Sequence, residues 1–371
     1  MTLLELRGWF VLTWRFIRYF AYRFGMGSRP QFVDIYREGV PVLDRLLGWP
    51  KMLRFEDGHN CPRHGPVVFA GNHQKKDDPF LLYRAIHYLC DASYAVRFMM
   101  RDDFFAGISA AKSRFIDVDE LACMAGALLI SRSNVQLSQM KPFVKLLREG
   151  NGFIMYPGRS RSRSGVFIEY RDGIEEPGGV TFFLAQAQRG RPDLRIPAVP
   201  CARTHNPTTN KTVIIFGEPQ YLPHDADRAV QRDLDFRLIE MMGELTEVNA
   251  AHVTAGILYL RCLHGHSESI TLHQLKAAVK EVLDACRERR VEPASRNDLD
   301  GQMKAVLAYL ERGKTIVRTG DSVTPNVDVV LSAPEWDTSY VEKNPLKHLV
   351  NQVLHLWDVV AAIEFAAFKT F

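Results

Sequence analysis

Short apolar runs, rich in β-branched and aromatic residues, alternate with segments of helical spacing through the first two thirds of the chain. The runs are PVVFAG (66–71), ALLIS (127–131), GFIMY (152–156), RIPAVP (195–200) and TVIIFG (212–217). Between the second and third, QLSQMKPFVKLLREG places apolar residues at helical spacing and stops at Gly150, a residue type that commonly follows a helix. This alternation predicts an α/β fold with a mixed, largely parallel sheet flanked by helices.

The pattern changes after about residue 246, where helical spacing continues without strand-like runs. The chain of 371 residues is 46% hydrophobic and can bury a full core. We therefore divide it into an N-terminal helical segment (1–30), an α/β domain (31–245) and a helical C-terminal extension (246–371). The extension ends in a long apolar segment, but its Asp358 and Glu364 argue against a membrane-spanning helix.

The first two dozen residues are strongly aromatic, yet four arginines interrupt them, so no uncharged run reaches spanning length. No cleavable signal sequence is recognisable there. At 100° per residue Arg7, Arg15 and Arg18 share one face, and apolar side chains cover much of the rest. Two interpretations stay open: a helix that lies in a membrane interface, with arginine toward anionic headgroups, or a helix docked on the protein's own core.

The overall charge is only mildly basic, with 47 Lys and Arg against 43 Asp and Glu, which does not indicate a dedicated nucleic-acid-binding protein. Six cysteines without a C-x-x-C pair are typical of buried thiols in a reducing compartment. Cys61 and His64 could begin a metal site, but no second pair follows at a suitable spacing. No metal is therefore predicted.

The segment NHQKKDDP (72–79) joins the first apolar run to a helical segment. Asp78 followed by Pro79 indicates a helix start, because Asp caps free amides and Pro fits the first turn. Asn72 to Asp77 then form a tight connection that holds His73 near a carboxylate. An imidazole bonded in this way keeps its second nitrogen free to accept a proton, so the pair is a candidate general base without a serine. The competing interpretation is that Asp78 only caps the helix and His73 is an ordinary loop residue.

Basic clusters follow two further predicted strands. Arg132 comes directly after ALLIS, and Arg159, Arg161 and Arg163 alternate with serines after GFIMY. Ligands of open α/β sheets bind at the carboxyl ends of the strands. Guanidinium groups, serine hydroxyls and loop amides at that edge favour an anion, and phosphate fits them best. A solvated basic loop is the alternative.

Four segments, NHQKKDDP, GALLISR, FIMYPGRSRSRSG and IPAVP, occur in the order of the four sequence blocks of the glycerolipid acyltransferase family. The resemblance covers about residues 55–220. It implies a glycerol-3-phosphate acyltransferase-like fold, in which residues 31–245 form the catalytic domain, and transfer of a fatty acyl chain to glycerol 3-phosphate or lysophosphatidate. The C-terminal extension resembles, more loosely, the tail of the larger glycerol-3-phosphate acyltransferases.

The resemblance also implies roles for individual residues. His73 would deprotonate the acceptor hydroxyl and Asp78 would orient it. The acceptor's phosphate would be bound by Arg132, Arg159, Ser160 and Arg161, and the site would be shaped by Asn72, Gly158 and Pro200. The third block departs from the family pattern, because Gly158 and Arg159 stand where a Glu-Gly pair is usual; an alternative register puts Tyr156 near the position of that Glu.

The implied protein is a membrane-associated enzyme of phospholipid synthesis, peripheral or monotopic on the cytoplasmic face. Its partners would be membrane lipids, acyl-CoA or acyl carrier protein as the acyl donor, and a small phosphorylated acceptor, with no cofactor and no nucleic acid. Glycerol 3-phosphate is the first acceptor expected and lysophosphatidate the second. The alternative of another class is a non-catalytic lipid- or membrane-binding protein of the same fold, which the altered third block motivates.

Overall fold

The computed structural model describes residues 2–28, 42, 44–45, 52–90, 94–102, 116–131, 137–158, 161–169, 176–334 and 339–369. Within these ranges eight strands form one sheet at the centre of the molecule. The strands are β1 (Leu53–Glu56), β2 (Val67–Gly71), β3 (Val96–Arg101), β4 (Ala127–Ile130), β5 (Gly152–Met155), β6 (Pro197–Asn206), β7 (Lys211–Phe216) and β8 (Gln220–Tyr221).

The strand order is β1-β7-β6-β2-β5-β3-β4, and β8 pairs with β6 beside this path. The strands from β6 to β4 run parallel, β7 and β8 are antiparallel to β6, and β1 is parallel to β7. The predicted mixed, largely parallel sheet is confirmed. Strands β1 and β3 were missed, because LRFE and VRFMMR each carry two charged residues and give no continuous apolar run. β3 lies between β4 and β5, so the segment of helical spacing predicted between those two strands crosses over it.

Helices cover both faces of this sheet. One core joins side chains of the helix Asp78–Cys90, such as Tyr83, to Phe69 and Ile154. The other core joins the helices Leu137–Arg148, Val180–Gln188 and Arg228–Glu244 to Val68 and Phe153. Because successive residues of β2 alternate between the two cores, the strand is buried on both sides. The helices of this part are α1 (Leu3–Arg23), α2 (Asp78–Cys90), α3 (Val118–Met124), α4 (Leu137–Arg148), α5 (Val180–Gln188) and α6 (Arg228–Glu244).

The C-terminal extension is helical, as predicted, and has a core of its own around the helix Ala250–Leu263. The expectation that it lacks strands was wrong: three short strands form an antiparallel sheet in which Ser322–Pro325 lies between Ile316–Thr319 and Ile270–Thr271. They have two to four residues with several polar side chains, too little for a strand pattern. The elements are α7 (Ala250–Leu263), β9 (Ile270–Thr271), α8 (Leu272–Ala285), α9 (Pro293–Asn297), α10 (Leu299–Arg312), β10 (Ile316–Thr319), β11 (Ser322–Pro325), α11 (Val327–Val330), α12 (Tyr340–Lys343), α13 (Pro345–Asn351) and α14 (Trp357–Phe368).

Helix α1 docks on the α/β domain through one side of its C-terminal half. The buried Tyr19 hydroxyl accepts a hydrogen bond from the Asp117 amide at 2.8 Å, and Arg23 pairs with Glu120 at 3.2 Å. The docking interpretation therefore holds for that side. Elsewhere the helix exposes a row of large apolar side chains: Leu3, Leu6, Trp9, Phe10, Trp14, Phe16 and Ile17. Among the described helices, none combines the length and apolar character needed to span a bilayer.

The expectation that the cysteines are buried thiols is confirmed only for some of them. Cys201, Cys262 and Cys286 are buried free thiols, and Cys123 is a partly exposed one. Cys61 is disulfide-bonded instead, so the expectation of thiols throughout was wrong.

Asn344 is fully buried and connects two segments of the extension by hydrogen bonds. Its Nδ2 donates to the carbonyl oxygens of Val329, Val330 and Ser332 at 2.8, 3.0 and 3.2 Å. Its Oδ1 accepts a hydrogen bond from the Lys347 amide at 3.0 Å and caps α13. One side chain thus joins α11 and the residues after it to the start of α13.

We expect Asn344→Ala to lower the free energy of unfolding by about 3 kcal/mol, because several buried polar groups lose their partner at once. Urea unfolding followed by circular dichroism measures the loss. Asn326→Ala is the matched control, since it removes one exposed amide–carbonyl hydrogen bond of 3.2 Å. A loss no larger than that of the control would contradict the role assigned to Asn344.

Candidate active site

Strands β2 and β5 end at one edge of the sheet, and β6 runs past that edge. The loop 72–77 leads from β2 to α2 across this point. Its first side chain continues the strand pairing: Asn72 Oδ1 accepts from the Arg203 amide at 2.7 Å, and Nδ2 donates to the Arg203 carbonyl at 3.0 Å. Asn72 thereby ties the start of the loop to β6.

His73 and Asp78 form the predicted pair. His73 Nδ1 lies 2.7 Å from Asp78 Oδ2, which also accepts hydrogen bonds from the amides of Gln74 and Lys75 at 2.6 and 2.8 Å. The helix begins from the Asp77 carbonyl, which accepts from the Leu81 amide at 3.0 Å. The carboxylate of Asp78 therefore turns back on the loop and orients the imidazole, and the interpretation that it only caps the helix was wrong.

The imidazole of His73 is held on two sides. A proton on Nδ1 satisfies the carboxylate and leaves the lone pair on Nε2. The ring stacks on Tyr156, with centroids 4.4 Å apart and planes inclined by 20°. Because the side chain is still 22% exposed, Nε2 can take a proton from a group bound in the cleft.

Arg203, on β6, binds the carboxylate of this pair and was not predicted from the sequence. Its Nη1 bonds to Asp78 Oδ1 and lies 2.8 Å from Asp77 Oδ1; the side chains of Arg203 and Asp78 are only 6% and 3% exposed. Burial by itself raises the pKa of Asp78, but the charge of Arg203 and the hydrogen bond with His73 lower that pKa to about 2. The carboxylate thus stays ionised. An arginine inside the apolar run IPAVPCARTHN was the available signal, since a buried guanidinium needs a buried carboxylate.

Tyr156 supports the histidine without contributing charge. Its hydroxyl is buried and has no hydrogen-bond partner among the described residues. Burial and the negative charge of Asp78 raise the pKa of Tyr156 well above its usual value, so the phenol stays neutral. The residue that one register aligns with a family Glu therefore acts as a flat face beneath the imidazole.

The region that holds this site matches a known protein family. Residues 52–202 match the protein-family model described as Acyltransferase. They form an acyltransferase-family domain. The resemblance carried by the four sequence blocks is thereby confirmed at the level of the family. The solved structure of the 1-acyl-sn-glycerophosphate (LPA) acyltransferase PlsC from Thermotoga maritima is similar at 15% sequence identity and a TM-score of 0.40, covering 64% of this chain and 92% of that chain. No curated protein matches the chain.

The third sequence block contacts the loop that carries His73. The Ser162 amide donates to the His73 carbonyl at 2.8 Å, which brings the segment after Arg161 beside the histidine. Burial and the neighbouring charge of Arg163 lower the pKa of Arg161. The other three predicted phosphate ligands, Arg132, Arg159 and Ser160, lie outside the described residues.

The two remaining predicted residues, Gly158 and Pro200, have no described contact with His73 or Asp78. Gly158 is buried in the turn after β5. Pro200 pairs with Ala70 inside the sheet, and its carbonyl accepts from the Gly217 amide at 2.7 Å. Lys75, in the loop 72–77 beside His73, is a further cation; burial, together with the charge of Arg203, lowers its pKa to about 8. Within the described ranges no three potential metal ligands converge.

The low pKa of Asp78 makes stability depend on pH. Its folded value is about 2 against an ordinary value of 3.8, so ionised Asp78 stabilises the fold above about pH 4, and this contribution is lost as the pH falls toward 2. Between about pH 5 and pH 2, we expect the unfolding free energy of the wild type to fall by about 2 kcal/mol more than that of Asp78→Asn. Urea unfolding at a series of pH values measures this. Asp225→Asn, at an exposed position, should show the same pH dependence of the unfolding free energy as the wild type. If Asp78→Asn also showed the wild-type pH dependence, the low pKa assigned to Asp78 would be refuted.

Proposed function

We propose that this protein is an O-acyltransferase of phospholipid synthesis that transfers a fatty acyl chain from acyl-CoA or acyl carrier protein to glycerol 3-phosphate. Lysophosphatidate is the second candidate acceptor. The observation that carries the proposal is the His73–Asp78 pair, joined at 2.7 Å inside the region that matches the acyltransferase family. A base held by a carboxylate suits the activation of a hydroxyl group, which attacks poorly at neutral pH unaided.

The proposed reaction is a direct transfer. His73 Nε2 takes the proton of the acceptor hydroxyl while the oxygen attacks the thioester carbonyl carbon. The new C–O bond forms, the C–S bond breaks, and the imidazolium returns its proton to the departing thiolate. Asp78, whose pKa of about 2 keeps it ionised, stabilises the transient imidazolium, and no acyl-enzyme is needed.

Positive charge around His73 supports a phosphorylated acceptor. Lys75 follows in the same loop, and Arg161 precedes the amide that bonds to the His73 carbonyl. Holding the phosphate would place the hydroxyl against the base, and such positioning can remove roughly 7–11 kcal/mol of a barrier in well-oriented cases. Glycerol 3-phosphate ranks first because the segment 158–161, Gly-Arg-Ser-Arg, resembles the third block of the glycerol-3-phosphate enzymes.

We expect thiol release from palmitoyl-CoA by the detergent-solubilised protein to require both an acceptor and His73. His73→Ala should lower the rate by at least about a hundredfold, because the proton acceptor is lost. The assay compares glycerol 3-phosphate, lysophosphatidate and no acceptor. His224→Ala, an exposed histidine of the same part of the chain, is the control and should keep the wild-type rate.

The pattern of acceptor dependence distinguishes the candidates. A requirement for lysophosphatidate would identify this second candidate, and not glycerol 3-phosphate, as the acceptor. If neither acceptor stimulates release, acyl carrier protein donors are tested next. Failure with both donors, or equal rates for wild type and His73→Ala, would favour the non-catalytic lipid-binding alternative.

Association with a membrane surface is part of the same proposal, because the product of the reaction is a lipid. Leu3, Phe10 and Ile17 follow each other at two-turn spacing on α1 and are 86%, 73% and 53% exposed. A contiguous exposed apolar face on a monomer marks an interaction surface. Arg7 and Arg18 are exposed on the same helix and would attract anionic headgroups.

We expect the wild type to sediment with vesicles that contain anionic phospholipid. The double substitution Phe10→Glu and Ile17→Glu should weaken binding by at least about tenfold, since each buried apolar side chain contributes about 1.5–3 kcal/mol. Val317→Glu serves as the control, because that side chain is 57% exposed on the small sheet of the extension. Unchanged sedimentation of the double variant would rule out α1 as the membrane contact.

A further inference from the structure

The segment 161–165, here called the basic loop, is attached to the catalytic pair through one buried serine. The Ser162 amide donates to the His73 carbonyl at 2.8 Å. Its Oγ accepts from the Gly165 amide at 3.1 Å and closes the turn of the loop. The distance of the loop from His73 is therefore set by Ser162 and by whatever holds the turn behind it.

The C-terminal extension holds that turn. The Tyr340 amide of α12 donates to the Arg163 carbonyl at 3.1 Å. Asn351, at the end of α13 and itself buried, donates through Nδ2 to the Ser164 carbonyl at 2.9 Å. Two successive carbonyls of the basic loop are thus bonded to segment 340–352, which is remote in sequence, so local structure alone does not determine the course of the loop.

Gly165 shows how closely the basic loop approaches helix α13 of the extension. Its φ of +95° lies in the region that favours glycine, and a Cβ at this position would be 2.4 Å from the carbonyl oxygen of His348. Any larger residue would have to displace either the basic loop or α13. The contact therefore leaves no room between the loop and the extension.

Helix α13 is itself anchored in the core of the extension. Gln352 bonds to His348 Nδ1 at 3.1 Å and to His252 Nε2 of α7 at 3.1 Å. Burial is the main cause that lowers the pKa of His348 to about 3 and that of His252 to about 4, so both stay neutral at working pH. A continuous series of direct contacts runs from α7 through α13 and the basic loop to His73.

We infer that the C-terminal extension positions the basic loop, so that binding of the phosphorylated acceptor depends on segment 340–352. This inference rests on the proposed function. The loop carries Arg161 and Arg163, and a displacement of about an ångström would misplace their charges relative to Nε2 of His73. Gly165 and Asn351 are positioning residues: they act on the acceptor only through the loop, so the acyl donor should not sense their loss.

Gly165→Ala is tested against Gly190→Ala. Gly190 also has a positive φ, +71°, but a Cβ there meets nothing within 4 Å. Both variants place an alanine at a positive φ, and only in Gly165→Ala would the new Cβ clash with His348. We expect the KM for the acceptor to rise by at least about tenfold in Gly165→Ala, with the KM for the acyl donor unchanged and Gly190→Ala close to the wild type.

Asn351→Ala is a milder second variant, should Gly165→Ala fold poorly. It removes one hydrogen bond of 2.9 Å to the loop, and Asn326→Ala removes one exposed amide–carbonyl hydrogen bond of 3.2 Å elsewhere in the extension. Hydrogen–deuterium exchange gives a readout that needs no activity. Peptides that contain the Ser162 amide should exchange several-fold faster in Asn351→Ala and at the wild-type rate in Asn326→Ala.

The outcomes separate the two proposals. The positioning role would be overturned, even in an active enzyme, by equal changes within both pairs of variants. These are equal changes in the acceptor KM for Gly165→Ala and Gly190→Ala, and equal changes in exchange for Asn351→Ala and Asn326→Ala. A similar rise in donor and acceptor KM would also overturn it, because it would mean general damage to the site. If the wild type transfers no acyl chain but only Asn351→Ala loosens the loop, the proposed function fails and the coupling between extension and loop stands.

Discussion

The buried ion pair between Arg203 and Asp78 is the interaction on which the site depends. Two charges taken out of water are tolerated only if each finds its partner and further hydrogen bonds. Here the two oxygens of one carboxylate have different partners, since Oδ1 meets Arg203 while Oδ2 meets His73 and two loop amides. The loop 72–77 adopts the conformation that satisfies this carboxylate, and removal of either charge would leave the other buried without its ion-pair partner.

Arg203 also joins the loop to the sheet at both of its ends. Its backbone bonds to the Asn72 side chain where the loop begins, and its guanidinium bonds to Asp78 where α2 begins. His73 lies between these two attachments, and Tyr156 from the end of β5 supports its ring. The imidazole is therefore positioned by three neighbouring strands, since β5 and β6 are both hydrogen-bonded to β2 in one sheet. Preorganisation of this kind is what a general base needs, since its Nε2 must already face the hydroxyl.

Features that depend on residues close together in the sequence were predictable, and features that depend on contacts between residues far apart in the sequence were not. β2, β4, β5, β6 and β7 were found because each contains an apolar run, and the His73–Asp78 pair because its members are only five positions apart. The Arg203–Asp78 pair spans 125 positions, so no local pattern could reveal its partner. The same holds for the bond between Asn351 and Ser164, which spans 187 positions. Short strands with charged residues, such as β1, are recognisable only by the neighbour with which they pair.

The altered third block gave the non-catalytic interpretation its motive, because an acidic residue usual in the family is missing after the proline. The charge of the basic loop is nevertheless balanced by a residue further along the chain: the Arg163 amide donates to Glu169 Oε2 at 2.6 Å, and the Glu169 charge opposes the lowering of the pKa of Arg161. Tyr156 stands where one register expects the acid and supports the imidazole by stacking. None of the hydrogen bonds between His73, Asp78 and Arg203 involves the third block. The hydrogen bonds that orient the His73 imidazole therefore come from Asp78 and, through it, from Arg203, and they need no acid in the third block; Tyr156 of that block contributes the stacking contact.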